Sequence, residues 1–387
     1  MTTEQLLFAL LRESVCGVPL TEAEVAALTP DTLESVFSLA DHHDLAHLAG
    51  HALKKHKLLG KDAVSSQFDR QTMGAMYRFM QQREEYGLIL KTLENAKIPH
   101  LPLKGSILRE YYPQPWMRTS CDIDILVHKE NLSAAIAALE TQLQYARGKL
   151  EDHCISLFSP GGTHLELHYD TIGEKYEVSN CRDVLARIWE DALPAGTDSF
   201  RYMMSDAMFY FYHIAHMAKH FTIGGCGIRP FLDLWILNHA ISHDAASRQA
   251  LLREGGLHRF SAAMENLAEV WFSGRESDDL SRQASAFLLS GGTYGTVDNF
   301  TAVGCSKAGS AGRYWLRRIF MPYVELSASY PVLLKHKWLM PFYQIIRWVR
   351  ILFGGGIHRA KAELRATSSA EKSVQETGTL LDRLGLS

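Results

Sequence analysis

The sequence predicts an α+β protein: a compact unit of strands and helices flanked by a helical N-terminal region and a helical C-terminal domain. Apolar residues recur at helical spacing up to about residue 97 and again after "LPAGTDS". Between these stretches lie the short runs "CDIDILV", "CISLFS" and "THLELHYD", which read as strands. At 387 residues the chain also exceeds the usual size of one domain, so two or three structural units are expected. The expected divisions are a helical region over 1–90, an α/β core over 91–195, a helical domain over 196–365 and a polar, frayed tail over 366–387.

The elements follow in order. "TEQLLFALLRES" begins after a Thr cap, and "TPDTLESVFSLADHHDLAHLAGHALKKH" has helical spacing with Asp31 or Thr32 as its cap. "REEYGLILKTLENAK" is a further helix. Ile98, Leu101 and Leu103 alternate among prolines, which suggests a short edge strand leading into the turn Gly105-Ser106. "ILREYYPQP" resumes as a short helix that Pro113 terminates. The strand "CDIDILV" is followed by the helix "NLSAAIAALETQL", capped by Asn131, and then by two strands joined at Pro160-Gly161-Gly162. After "LPAGTDS" the pattern is helical through "LRRIF".

Composition narrows the function classes. With 47% hydrophobic and 21% charged residues the chain is globular, and its net charge of −3 argues against a long nucleic acid as partner. The charge is uneven: residues 307–365 carry eleven Lys/Arg and two acids, Glu325 and Glu363. That region either forms solvated basic helix faces or meets a polyanion or the periphery of a membrane. "RYWLRRIFMPY" reads as buried aromatics with snorkelling arginines, or as a surface that touches bases or lipid headgroups. The six cysteines are scattered with no C-x-x-C pair, so a zinc ribbon, redox dithiol or disulfide framework is unsupported. The N-terminus lacks the pattern of a signal peptide, and "WLMPFYQIIRWVRILF" is too short and too charged to span a bilayer; a cytoplasmic location is expected. "GSAGRY" and "LFGGGIH" follow no strand and do not read as phosphate loops.

The chemistry-bearing residues lie in the middle unit. Side chains alternate along a strand, so Asp122 and Asp124 share one face while Ile123 and Ile125 share the other. Two adjacent carboxylates repel, and burial without a partner is costly, so a cation is expected between them or the pair lies in solvent. The Gly105-Ser106 turn opens a helix whose N-terminal N–H groups and dipole suit a phosphate, with Ser106 adding a hydroxyl. Asp122 and Asp124 supply hard oxygens suited to Mg²⁺. Glu166 lies on a following strand with His168 on the same face, and supplies a third carboxylate as ligand or base. Asp170 is the open alternative. Lys104 and Arg118 flank the two halves of the motif and either neutralise phosphate or pair with a motif aspartate.

A Gly-Ser turn followed by Asp-x-Asp on a strand resembles the DNA polymerase β-type nucleotidyltransferase superfamily. The fuller text "LKGSILREYYPQPWMRTSCDIDILV" with "LELHYD" is similar to the bacterial family of uncharacterised nucleotidyltransferases within it, and the flanking "SLADHHDLAHLAGHAL", "HIAHMAKHF" and "IRPFLDL" also fit. The resemblance implies a mixed-sheet nucleotidyltransferase core and transfer of a nucleoside monophosphate from an NTP, such as ATP, to a hydroxyl with two Mg²⁺ ions. It implies that Gly105 and Ser106 hold the triphosphate and that Asp122, Asp124 and Glu166 are catalytic and hold the metals; Lys104 and Arg118 join the nucleotide-binding candidates by their flanking positions. The gap from Ser106 to Asp122 is longer than usual for the superfamily, with Tyr111–Pro115 as the extra loop. The acceptor is open among a protein side chain, a sugar or other small molecule, and an RNA end. The alternative is a non-catalytic nucleotide-binding or assembly protein of surface-polysaccharide production, although retention of all three carboxylates argues for a working site.

His213, His216 and His220 share one helix face, and Asp233 follows on the next helix. They read first as packing or cleft-facing histidines. A metal site from His216, His220 and Asp233 lacks a supporting motif.

Overall fold

The computed structural model describes the chain except residues 172, 174–177, 294, 354–360, 366–370 and 387; the glycines of "LFGGGIH" and the start of the tail thus lie outside the described residues. It divides into two compact units. One comprises Met1–Ala215 with Ile228–Ser277, the other His216–Gly227 with Asp278–Ser387.

The first unit holds a five-stranded sheet in the order β1-β2-β5-β4-β3. Its strands are β1 (His100–Pro102), β2 (Asp122–Val127), β3 (Ala146–Leu150), β4 (Cys154–Phe158) and β5 (His164–His168). β2 and β5 run parallel and the other neighbours antiparallel, so the sheet is mixed and the fold is α+β, as expected. Ile123, Ile125 and Val127 of β2 and Leu165 and Leu167 of β5 point into one core. There they meet Ile89 and Leu93 of the helix Ala63–Asn95 and Ile136 and Leu139 of the helix Leu132–Leu143. Two helices therefore cover one face of the sheet, and the aspartates of β2 fall on the opposite face by simple alternation.

Several local expectations change. Thr29, rather than Asp31 or Thr32, caps the helix Pro30–His42, accepting from the Thr32 N–H, because Pro30 occupies the first helical position. The long second segment breaks at Asp44, whose φ is +54°, and resumes as Ala46–Lys55. Asn131 precedes its helix but makes no side-chain cap, since a 3₁₀ turn at Lys129–Asn131 leads into it. β3 was not expected from the sequence: its residues are all exposed, so "ARGKL" shows no apolar alternation, and it pairs at the sheet edge with Arg147 and Lys149 in solvent. "LPAGTDS" links the two-stranded β6 (Leu193–Pro194) and β7 (Tyr202–Met203).

Helices from both ends of this unit meet. Phe8 of the capped helix Thr3–Leu11 stacks on Trp271 of His258–Phe272, with ring centroids 4.8 Å apart. The segment between the Gly-Ser turn and β2 is tied down by a buried polar knot. Arg118 forks onto Asp233 of the helix Arg229–His239 at 3.2 and 2.8 Å, and the Tyr112 hydroxyl donates to the same carboxylate at 2.7 Å. His47 adds a 2.8 Å hydrogen bond to the Met117 carbonyl.

The second unit is helical. Its tail is not frayed over its described part: Glu371–Leu384 is a helix that buries Leu380, Leu381 and Leu384 and packs on Val297–Ala308. Apolar residues at 380, 381 and 384 repeat at helical spacing, and that short pattern outweighs the polar composition. Tyr314 in "RYWLRRIFMPY" is buried, but Leu316 and Phe320 are exposed, so the reading as buried aromatics holds for only part of it.

Breaking the knot leaves a buried guanidinium unpaired. Asp233→Ala is expected to lower unfolding stability by about 3–5 kcal/mol, measured by urea denaturation. A loss below about 1 kcal/mol would show that the knot contributes little.

Candidate active site

The Gly-Ser turn is held by its neighbours. Lys104 takes φ +39°, a conformation unfavourable for a residue with a Cβ, and its carbonyl accepts from the Ile107 and Leu108 N–H groups as Gly105–Leu108 closes into one helical turn. A Cβ on Gly105 would lie 2.7 Å from Nη1 of Arg118 and 3.6 Å from Ser120, so glycine is what lets the guanidinium pass. Arg109, buried, staples the turn to the strand that follows. Its Nε donates to the Gly105 carbonyl at 3.2 Å, and its Nη2 donates to Ser120 Oγ at 2.9 Å and to Gln82 Oε1 at 3.1 Å. Ser120 Oγ in turn donates to the Asp122 carbonyl at 2.9 Å.

Across the parallel pair the register sets Asp122 opposite His164 and Asp124 opposite Glu166. Ligand atoms of Asp122, His164 and Glu166 lie within 4.8 Å of one another, as do those of Asp124, Glu166 and His168. The three carboxylates expected from the sequence are thus side by side. Asp170 lies past the end of β5, 3.6 Å from Arg182. Lys104 Nζ reaches Asp124 Oδ1 at 3.5 Å and stands over the Tyr212 ring. Arg118 meets Asp233 rather than a motif aspartate, and Ser106 is buried in the turn. His213 bonds the Pro230 carbonyl at 3.0 Å, and His216 and His220 face each other at 3.2 Å. Asp233 binds Arg118 and Tyr112.

His168 is the residue whose role the sequence did not assign, although the alternation of β5 places it on the site face. Its Nε2–H donates to Asp124 Oδ1 at 2.9 Å and lies 3.4 Å from Glu166 Oε2. Arg109 was also missed, because nothing in "ILREYY" marks that arginine as a staple.

The charges settle unequally. Burial pushes the Asp124 carboxyl up, but Lys104 and the hydrogen bond from His168 outweigh it and hold the group well below the usual carboxylate range. The hydrogen bond from His168 likewise lowers Glu166. Burial alone would discharge His168, yet Asp124 and Glu166 raise it above its ordinary value. Burial also opposes the charge of Lys104, and the Asp124 carboxylate overrides it, so Lys104 is raised. Asp122 is the least compensated member: burial first, then the Asp124 charge, outweigh the nearby Lys104 and push it up to about 6.

These residues fit a hard divalent cation. Asp122, His164 and Glu166 form one group of ligand atoms and Asp124, Glu166 and His168 another, so Glu166 is shared, and a cation in the first group would relieve the carboxyl that burial and Asp124 push up. The buried Nε2 of His164, beside Asp122 and Glu166, has no hydrogen-bond partner among the described residues.

The sign of the pH dependence follows from Asp122. A carboxyl raised in the folded state contributes stability below its unfolded pKa and loses it as pH rises through the folded value. Asp122→Asn is therefore expected to stabilise the metal-free protein by on the order of 1–3 kcal/mol at pH 8, with the gain vanishing near pH 4. Thermal melts across pH check this, and an unchanged or lower melting temperature at pH 8 would contradict it.

No curated protein and no solved structure gives a significant match to the chain. One family model does match, over residues 30–273, a span that takes in the turn, the carboxylate strands and Asp233. That span is more than half of the chain, and the protein belongs to the family described as uncharacterised nucleotidyltransferase.

Proposed function

We propose that the protein transfers a nucleoside monophosphate from an NTP to an acceptor hydroxyl in a Mg²⁺-dependent reaction, as the DNA polymerase β-type nucleotidyltransferases do. The observation that carries this reading is the convergence of Asp122, Asp124 and Glu166 on one face of a parallel strand pair. The Gly105-Ser106 turn adds to it, since Lys104 ties that turn to the same face through Asp124.

In the reaction the acceptor oxygen forms a bond to the α-phosphorus, the bond from that phosphorus to the bridging oxygen breaks, and pyrophosphate leaves. Asp122, Asp124 and Glu166 would hold Mg²⁺, which when bound supplies neutralisation of phosphate charge and a more acidic acceptor hydroxyl. Lys104 brings a fixed ammonium toward the triphosphate, and the turn offers backbone N–H groups and the Ser106 hydroxyl to its oxygens. Glu166, kept ionised by His168, is placed to accept the proton of the attacking hydroxyl. His168 orients two carboxylates from one nitrogen and so fixes the spacing of the set. Arg118, bound to Asp233 and to the Thr119 carbonyl, positions the loop before β2.

The test is incubation with α-labelled NTPs and Mg²⁺ across protein, sugar and RNA acceptors, with mass spectrometry of the protein itself for self-modification. Label transfer with pyrophosphate release is expected. Asp124→Ala should lower the rate at least about a hundredfold while the protein stays folded. Nucleotide binding without pyrophosphate release, across that panel, would overturn the reading as an enzyme.

A further inference from the structure

The helix Met340–Phe353 in the second unit presents an unusual outer face. Phe342, Ile345, Val349, Leu352 and Phe353 are all exposed, with Phe353 at 85%. At 3.6 residues per turn they fall within an arc of about 100°. The opposite side is the anchored one: Gln344, buried, donates to the Met321 carbonyl at 2.6 Å, and Arg347 donates to the Arg318 carbonyl at 2.7 Å. The neighbouring helix Ala311–Ile319 extends this face. Trp348 Nε1 donates to the Ile319 carbonyl at 2.8 Å, and Phe320 meets the Trp348 ring edge-on at 5.7 Å, while Leu316 and Phe320 stay exposed. Trp338, just before the helix, is 76% exposed.

Cations border the apolar stripe. Arg313, Arg317, Lys335, Lys337 and Arg350 are exposed. Of the two acids in residues 307–365, Glu363 is buried and bound to Arg318 at 2.5 Å, and Glu325 is exposed. A large apolar patch rimmed by charge marks a docking surface. A second copy of the chain would set this positive face against itself in a two-fold contact. An apolar stripe with Trp and Phe, flanked by Lys and Arg, matches the boundary between acyl chains and anionic headgroups.

We propose that the second unit docks on an anionic lipid surface through Met340–Phe353 and the end of Ala311–Ile319. The helix lies in the interface and does not cross it. Its 14 residues span about 21 Å against the roughly 30 Å of a hydrocarbon core, and no described helix is long and apolar enough to span. Phe342, Val349 and Phe353 enter the acyl boundary, and Lys337 and Arg350 meet lipid phosphates. This inference stands on the second unit alone and does not require nucleotidyl transfer.

The test is co-sedimentation of the full chain with vesicles of phosphatidylglycerol and phosphatidylcholine, beside vesicles of phosphatidylcholine only. Binding to the anionic vesicles, weakened by salt, is expected. Ile345→Asp with Val349→Asp should lower the partition coefficient at least about tenfold with an unchanged melting temperature. Lys337→Glu with Arg350→Glu should lower it about tenfold at low salt. Three outcomes would overturn the proposal: wild type that stays in the supernatant with both vesicles, variants that partition as wild type does, and vesicle-free self-association abolished by the same substitutions.

Discussion

The first unit is organised around like charges held close on a half-buried strand face. At 4 Å two carboxylates repel by about 4 kcal/mol in a protein-like effective dielectric, and Asp122, Asp124 and Glu166 crowd one face of two hydrogen-bonded strands. The chain offsets part of this with Lys104 and with His168, whose Nε2 serves Asp124 and Glu166 together. It compensates Asp122 only in part, and that carboxyl is correspondingly raised. A fold that needed only stability would place a neutral residue there. The residual strain has the sign that a bound divalent cation would relieve.

The rest of the unit keeps those charges from moving apart. Ile123, Ile125, Leu165 and Leu167 bury the reverse side of the same strands against two helices, so the backbone that carries the carboxylates can shift only if the core repacks. Arg109 fastens the turn to the residues just before β2, and Gly105 makes room for Arg118. The stretch Tyr111–Pro115 has a structural use, because Tyr112 within it and Arg118 three residues past it both bind Asp233. The loop and a helix more than one hundred residues away are thereby one polar knot.

Much of the sheet was legible in the sequence because half-buried strands alternate. Asp122 and Asp124 were assigned to one face of their strand, and Glu166 and His168 to one face of theirs, from that period, while the joining of the two faces came from the family resemblance; the edge position of His100–Pro102 followed from its prolines. What was illegible had no local signature. β3 is wholly exposed, so its residues carry no apolar period. The Arg118–Asp233 pair joins positions 115 apart, and pairing at such range is decided by topology rather than by pattern. His168 could be placed on the right face, but whether it binds metal, phosphate or carboxylate depends on a distance that only the fold supplies. The tail misled by composition: three leucines at helical spacing outweighed a polar background.

The central claim is that the carboxylate face of β2 and β5 binds divalent metal together with a nucleoside triphosphate. Anomalous diffraction from crystals grown with Mn²⁺ and a non-hydrolysable NTP analogue tests it most directly, because Mn²⁺ accepts the same oxygen ligands as Mg²⁺. The account predicts an anomalous peak within about 2.5 Å of oxygens from Asp122 and Asp124, with triphosphate density running toward Gly105-Ser106. A peak at the nearby His153, Cys154 and His168 group instead, or nucleotide density away from the turn, would contradict it.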